Sequence, residues 1–242
     1  MKPPPLRLLS LASAMAVAML GLAQPAVAST IFWGSSIGVD VLIDSNGQPL
    51  GGEFSFEMGV FDNGFVPTVT NINDWAANWR VFDIAFDPTP TIPDDGDPEG
   101  WSEENQAFAG TVDHLSDGTS DSPYATPGFQ FQQGTVVYLW VYNTKDRVTE
   151  TEWALVTDGV NTGDTLSDWV FPDPAEVAGS YDWMLGDADS AVYGGLSDNG
   201  GGGVTLQTLV VPVPEPGSVL LLGVTVLGAL LHRRRPIKTT TC

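Results

Sequence analysis

Short segments in which apolar and polar residues alternate constrain the fold of this chain most strongly. The even-numbered residues from Phe54 to Val60 are apolar, and Ser55, Glu57 and Gly59 lie between them. A period of two places successive side chains on opposite faces of a strand. The segment therefore predicts a half-buried strand, with one face in a core and the other in solvent.

Similar segments recur along the chain and are separated by Gly, Pro, Asn and Asp clusters, which are typical of turns. They are residues 37–43, 81–86, 108–112, 136–142, 152–157 and 204–211. Seven or more short strands in a chain of 242 residues predict an all-β fold. The predicted architecture is an antiparallel β-sandwich, and a jelly-roll is one form that it can take.

One segment, residues 73–80, is predicted as a short helix. Asn73 is a suitable N-cap, Ala76 and Ala77 favour helix, and Trp75 and Trp79 stand four residues apart on one side.

The charge distribution excludes several classes of partner and site. The chain has 9 Lys and Arg and 30 Asp and Glu, but between Ser29 and Val213 there are 29 acids and three bases, a net charge of −26. Such a surface repels phosphate, which argues against nucleic acid as a partner. The single cysteine, Cys242, is the last residue, so an intrachain disulfide or a multi-cysteine metal site is excluded.

The first 28 residues predict a secretory signal peptide, which would form an N-terminal helix. Lys2 and Arg7 precede an apolar block at residues 8–22, and Ala26 and Ala28 have the small-x-small spacing required for cleavage after Ala28. An uncleaved anchor helix is the alternative.

A second apolar segment, Gly217–Leu231, lies near the other end and predicts a transmembrane helix. Its fifteen residues would cover about 22 Å as a helix, less than a bilayer core of about 30 Å, so it spans only with thinning or snorkelling. Arg233, Arg234 and Arg235 follow and should stay cytoplasmic, which places the acidic domain outside. A buried core helix is the alternative.

Pro214, Glu215 and Pro216 precede that helix and predict an extended, exposed stalk, because proline fixes φ and lacks an N–H. The tripeptide, the short apolar helix and the arginine cluster, in that order, resemble the PEP-CTERM sorting signal of Gram-negative bacteria. The resemblance covers residues 211–242, leaving a signal peptide at 1–28 and an acidic β-rich domain at 29–210.

The resemblance implies a processing route. Signal peptidase and an exosortase would be the processing enzymes, and the inner membrane would hold the protein transiently before it reaches the cell surface or an extracellular matrix of exopolysaccharide. Pro214, Glu215 and Pro216 would then be substrate positions of the exosortase, not catalytic residues. The alternative is a tail anchor that stays in the inner membrane.

An acidic loop is the candidate metal site, with Ca²⁺ as the only cofactor predicted. Asp94, Asp95, Asp97 and Glu99 crowd carboxylates around a turn, and hard oxygen ligands suit Ca²⁺. A solvated acidic loop is the alternative. Asp187 and Asp189 with Asp198 form a second, weaker cluster.

Eight tryptophans lie in the acidic domain, and Trp101, beside the acidic loop, is the candidate for stacking on a carbohydrate. Most of the others are expected in the core. His114, the only histidine outside the tail, is expected to be a loop residue with satisfied hydrogen bonds.

Two function classes follow. The first is a non-enzymatic exported surface or matrix protein, and the alternative is a secreted carbohydrate-binding module or glycosidase acting on matrix polysaccharide.

Overall fold

The computed structural model describes residues 28–85, 100–159, 168–174 and 179–213. Strand accounts for 43% of it and helix for 6%, so the predicted all-β fold with one short helix is confirmed. The strands are β1 (Ala28–Gly34), β2 (Val41–Ile43), β3 (Ser55–Phe61), β4 (Trp79–Ile84), β5 (Gly100–Ser102), β6 (Ala107–Leu115), β7 (Tyr138–Tyr142), β8 (Glu152–Thr157), β9 (Ser180–Met184), β10 (Ser190–Tyr193), β11 (Gly195–Asp198), β12 (Val204–Gln207) and β13 (Leu209–Val210).

These strands form three sheets. Four strands pair in the order β5-β6-β1-β9, and five in the order β10-β8-β7-β3-β4, with β13 as a sixth strand beside β8. The third sheet is β11-β12-β2. Two pairings, β1 with β9 and β12 with β2, are parallel, so the prediction of a purely antiparallel arrangement is wrong at these two places.

The four-stranded and six-stranded sheets share one hydrophobic core. Phe108 of β6 stacks on Phe56 of β3 with ring centroids 4.4 Å apart, and Trp33 of β1 lies 5.8 Å from Phe108. Side chains from both sheets are therefore interleaved, as in the predicted β-sandwich.

A second apolar cluster covers the opposite face of the six-stranded sheet. Trp75, from the helix α1 (Trp75–Asn78), stacks on Trp153 of β8 at 5.9 Å and meets Trp140 of β7 edge-on at 6.1 Å. Because this sheet is covered on both faces, the expected solvent face of β3 does not exist, and Glu57 is only 3% exposed. The prediction of a half-buried strand is wrong here.

The predicted helix at 73–80 is also shorter than expected. Residues Ile72–Asp74 form a 3-10 turn, α1 spans four residues, and Trp79 already begins β4. Asn73 therefore does not act as the helix cap. A second 3-10 turn spans Leu185–Asp187.

No helix among residues 28–85, 100–159, 168–174 and 179–213 is long and apolar enough to cross a membrane. The predicted signal helix and the predicted transmembrane helix at 217–231 lie outside the described residues.

Candidate functional site

The last strand that the structure describes, β13, lies along the edge of β8. In β13, Leu209 pairs with Trp153 and Val210 with Glu152. Val211 is then fully buried in the second apolar cluster, and its N–H donates to the carbonyl of Thr151 at 2.7 Å. The chain thus stays bound to the domain through Val211 and is exposed at Pro212 and Val213.

Arg147, in the connection between β7 and β8, holds the next residue. Its Nη2 donates a hydrogen bond to the carbonyl of Pro212. Its Nε and Nη1 are buried, and neither has a hydrogen-bond partner among the residues that the structure describes. We call Thr151, Arg147 and the segment Leu209–Val213 the exit site.

The same connection carries Lys145, which is bound to a buried carboxylate. Lys145 Nζ lies 2.5 Å from Oε2 of Glu57, whose carboxylate also accepts hydrogen bonds from Trp79 Nε1 at 2.8 Å and from the Tyr142 hydroxyl at 2.5 Å. Three donors therefore satisfy this carboxylate, as burial of a charge requires.

Aromatic rings complete the environment of Lys145. Its Nζ lies 5.2 Å from the ring centroid of Trp140 and 5.0 Å from that of Tyr142, distances at which cation–π attraction acts. Burial and then the neighbouring Glu57 charge raise the pKa of Tyr142 well above its usual value, so the hydroxyl stays a donor. The connection between β7 and β8 is thereby anchored to β3.

Trp101 lies on β5 and is only partly exposed. Its ring centroid is 4.7 Å from that of Phe56, and its Nε1 donates to the carbonyl of Gly51 at 3.2 Å. The ring therefore packs against the core. The other seven tryptophans are all buried: Trp33, Trp75, Trp79, Trp140, Trp153, Trp169 and Trp183.

His114 lies within β6 rather than in a loop, so that expectation is wrong. It is fully buried, and its Nε2 is 3.1 Å from the carbonyl oxygen of Phe131. Burial lowers its pKa, which favours the neutral ring.

Asp158 is a buried acid beside other acids. It directly follows β8 and is 1% exposed. Burial, and then the charges of Asp189, Asp168 and Asp187, raise its pKa to about 7.

Of the second predicted acidic cluster, Asp189 accepts a hydrogen bond from the Gly159 N–H at 3.0 Å. No group of three or more His, Cys, Asp or Glu is arranged to hold a metal ion within the described part of the chain.

A shallow depression of about 420 Å³ lies between residues 60–65, at the end of β3 and directly after it, and residues 129–138. Partly buried aromatic side chains of Phe65, Phe129 and Tyr138 line it, together with the amides of Gln130 and Gln132.

Comparison with known protein families identifies the segment that follows the exit site. A family model described as the PEP-CTERM protein-sorting motif matches residues 212–235. The chain carries a PEP-CTERM sorting motif. No curated protein and no solved structure gave a match. The resemblance predicted from the tripeptide, the apolar segment and the arginines is confirmed.

The PEP-CTERM motif therefore begins at Pro212, the residue that Arg147 binds. Pro214, Glu215, Pro216, Arg233, Arg234 and Arg235 lie outside the described residues. Of the two predicted cleavage-site alanines, Ala26 lies outside them, and Ala28 is the first residue of β1. The described fold continues to Val213, three residues past the predicted domain boundary at 210.

Asp94, Asp95, Asp97 and Glu99 also lie outside the described residues, so the Ca²⁺ site stays a prediction. The structure describes only the flanks of that loop, Ala85 and Gly100, which are both buried.

The sequence patterns did not indicate the exit site or the contacts of Glu57 with Trp79, Tyr142 and Lys145, which we call the Glu57 cluster. One signal could have found both: only three bases, Arg80, Lys145 and Arg147, lie among 29 acids, and two of them are separated by a single residue. A rare cation in such a domain is a candidate for a specific partner.

Proposed function

We propose that this is an exported, non-enzymatic protein of a Gram-negative bacterium that an exosortase delivers to the cell surface or to an extracellular matrix. The PEP-CTERM motif marks it as an exosortase-sorted protein that is exported and transiently anchored. One observation carries the proposal: the PEP-CTERM motif, matched at residues 212–235, begins two residues after β13. A cut at the tripeptide would release the whole domain.

The environments of two buried titratable groups, Glu57 and His114, support a non-enzymatic role. Three protein donors satisfy the Glu57 carboxylate. The His114 side chain, on β6, is fully buried and packs against the rings of Phe82 and Phe171. A general acid or base must reach its substrate directly or through one water. Neither of these two groups has that access.

The proposal is tested by intact-mass analysis of the protein from its host, with and without the exosortase gene. We expect a mature species that begins at Ser29 and ends near residue 216 only when the exosortase is present. Replacement of Pro214, Glu215 and Pro216 by alanine should abolish the C-terminal cut, and replacement of the exposed Val213 by alanine is the matched control. An unchanged mature mass in the triple variant would instead support a retained tail anchor.

A second candidate function, carbohydrate binding, is favoured by the depression near Tyr138. Its aromatic rings and amides suit a ligand with apolar faces and hydroxyl groups. Its only carboxylate, Asp62, is paired with Arg80, so the lining is close to neutral in a domain of net charge −26. This site suits a neutral saccharide better than Trp101 does, because Phe56 covers part of that ring.

Glycan-array binding tests this second function. Binding that is lost in Phe65→Ala and kept in Trp101→Ala would support the depression, and the reverse would support the tryptophan. An array without signal would remove carbohydrate binding as a candidate.

A further inference from the structure

Three Asn-Gly dipeptides occur in the chain, and the structure holds them in different ways. They are Asn46-Gly47, Asn63-Gly64 and Asn199-Gly200. In such a dipeptide the backbone nitrogen of the glycine can attack the side-chain amide of the asparagine, because glycine has no side chain that restricts the approach. The attack requires both groups to move into contact. Hydrogen bonds at either group therefore oppose it, since they must first be broken.

The Asn199-Gly200 dipeptide is the most firmly held of the three. Oδ1 of Asn199 accepts hydrogen bonds from two backbone N–H groups, at 2.8 and 3.3 Å, and its Nδ2 donates to the carbonyl of Val39 at 2.6 Å. The Gly200 N–H donates to Oδ1 of Asp198 at 2.6 Å. Both the attacking nitrogen and the amide that it would attack are thus engaged in hydrogen bonds.

The Asn46-Gly47 dipeptide, in the turn after β2, is held by Asp44. The Gly47 N–H donates to the carbonyl of Asp44 at 3.1 Å, and the Asn46 N–H donates to its carboxylate at 2.8 Å. The side-chain amide of Asn46 lies 3.5 Å from the same carboxylate, at the limit of a hydrogen bond. Here the attacking nitrogen is engaged, but the amide is held only weakly.

The Asn63-Gly64 dipeptide has neither restraint. It lies in the turn directly after β3, across which the Phe65 N–H donates to the carbonyl of Asp62 at 2.8 Å. Both residues of the dipeptide are exposed. Among the described residues, neither the Asn63 amide nor the Gly64 N–H has a hydrogen-bond partner. The bond across the turn is then the restraint on the rotation that brings the Gly64 nitrogen to the Asn63 amide.

We propose that Asn63 is the residue at which the folded domain deamidates first, by a spontaneous reaction. The Gly64 nitrogen loses its proton to hydroxide and forms a bond to Cγ of Asn63, and the side-chain nitrogen takes up a proton and leaves as ammonia. Water then opens the cyclic imide at either carbonyl, which gives an aspartate or an isoaspartate at this position. The net reaction consumes one water and releases one ammonia.

The new carboxylate changes the charge of the depression near Tyr138. Asn63 belongs to its lining, together with Asp62, the carboxylate that is paired with Arg80. Deamidation adds a second carboxylate, for which Arg80 is already engaged, so the lining changes from nearly neutral to anionic and should repel acidic polymers. The reaction needs only the folded chain and water, so it stands or fails separately from the proposed function.

The first test stores the purified full chain in detergent micelles and follows the three dipeptides by peptide mass spectrometry. The mass increase from replacement of NH₂ by OH should appear first at Asn63, at least about tenfold faster than at Asn199 because several hydrogen bonds hold the latter, with Asn46 between them. The rate should rise with pH, because the Gly64 N–H must lose its proton. In urea the three rates should converge. A faster reaction at Asn46 or Asn199, or the same order of rates in urea, overturns the proposal.

The second test changes the restraints instead of the site. Asp198→Ala removes the acceptor of the Gly200 N–H and should make conversion at Asn199 several-fold faster. Ser197→Ala, at the exposed neighbouring residue, is the matched control and should leave that rate unchanged. Asn63→Gln should abolish the early mass increase, because a longer side chain forms the imide less readily. Equal rates at Asn199 in the two alanine variants would contradict control by hydrogen bonds.

Discussion

The two ends of the described domain are held in different ways. At the start, β1 lies inside a sheet, with seven residues paired to β6 on one side and five to β9 on the other. At the end, β13 has two residues, paired only with β8, and both are exposed. The first strand is part of the core, whereas the last is attached at an edge.

This difference matters for processing at the two ends. A cut after Ala28 removes the first residue of β1 and everything before it, and the rest of β1 lies inside a sheet. At the other end the chain is held by Val211, by the Thr151 carbonyl and by Arg147. Few buried contacts mean a low free energy of local opening. We infer that the C-terminal end can detach while the core remains folded.

Truncation of β1 should have the largest effect. Trp33 is 2% exposed and its Nε1 donates to Asp83 at 2.8 Å. Trp33→Ala should lower the free energy of unfolding by about 3–5 kcal/mol, because it removes a large core side chain. Urea unfolding measures this. The neighbouring Phe32 is 42% exposed, and Phe32→Ala should cost far less. Equal losses would mean that β1 is not a core strand.

Loss of Lys145 should have the next largest effect, because it loosens the connection that holds the C-terminal end. Lys145→Met leaves the Glu57 carboxylate buried without its cation, which costs about 3 kcal/mol in comparable pairs. Arg80→Met is the control, since that pair is about one-third exposed and should contribute at most about 1 kcal/mol. If the two variants are equally stable in urea, the Glu57 cluster does not anchor the connection.

Asp158, at the opposite end of β8 from β13, allows a pH test that should not involve the exit site. Its folded pKa of about 7 exceeds the unfolded value of 3.8, so the folded state binds the proton more tightly. The contribution of this group to the free energy of unfolding is fully present below about pH 4 and is lost as the pH rises through about 7.

Asp158→Asn remains neutral at every pH. It should therefore raise the melting temperature at pH 8 by a few degrees, about 1 kcal/mol, and change it little at pH 4. Asp146→Asn, at an exposed acid, should show no such pH dependence. A gain for Asp158→Asn that is the same at both pH values would refute the assigned pKa.

Truncation of Val211 should have the smallest effect on global stability. Val211→Ala removes two buried methyl groups at an edge that opens locally, so we expect a loss of about 1 kcal/mol or less in urea. Amide exchange at Val211 should nevertheless become several-fold faster. A loss as large as that of Trp33→Ala would place the C-terminal end in the core.

The strand pattern was predictable in β8, a short apolar run between Glu152 and Thr157 whose bounds match the predicted segment 152–157. The sequence pattern did not predict β1, in which Ile31 and Trp33 are buried and the exposed Phe32 lies between them. Three consecutive apolar residues conceal a period of two. The parallel partner of β1, β9, is about 150 residues away, and no local pattern specifies such a pairing.

The sorting motif was predictable because its parts are adjacent in sequence, whereas the exit site was not. Arg147 and Pro212 are 65 residues apart and meet only because β13 pairs with β8. Glu57 was expected in solvent for a related reason. The residues that cover it, Trp79, Tyr142 and Lys145, come from two other strands and one connection, and a polar residue in an alternating segment gives no sign of such partners.

Native-state hydrogen exchange of the full chain tests the difference between the two ends most directly. The Ser35 N–H, at the end of β1, donates to Phe108 at 2.9 Å, and the Val211 N–H donates to Thr151 at 2.7 Å. We predict that Ser35 exchanges only through global unfolding, with a dependence on urea as steep as that of the whole protein. Val211 should exchange through a local opening that urea hardly affects. If Val211 shows the same free energy and the same urea dependence as Ser35, the C-terminal end is part of the core and the account is wrong.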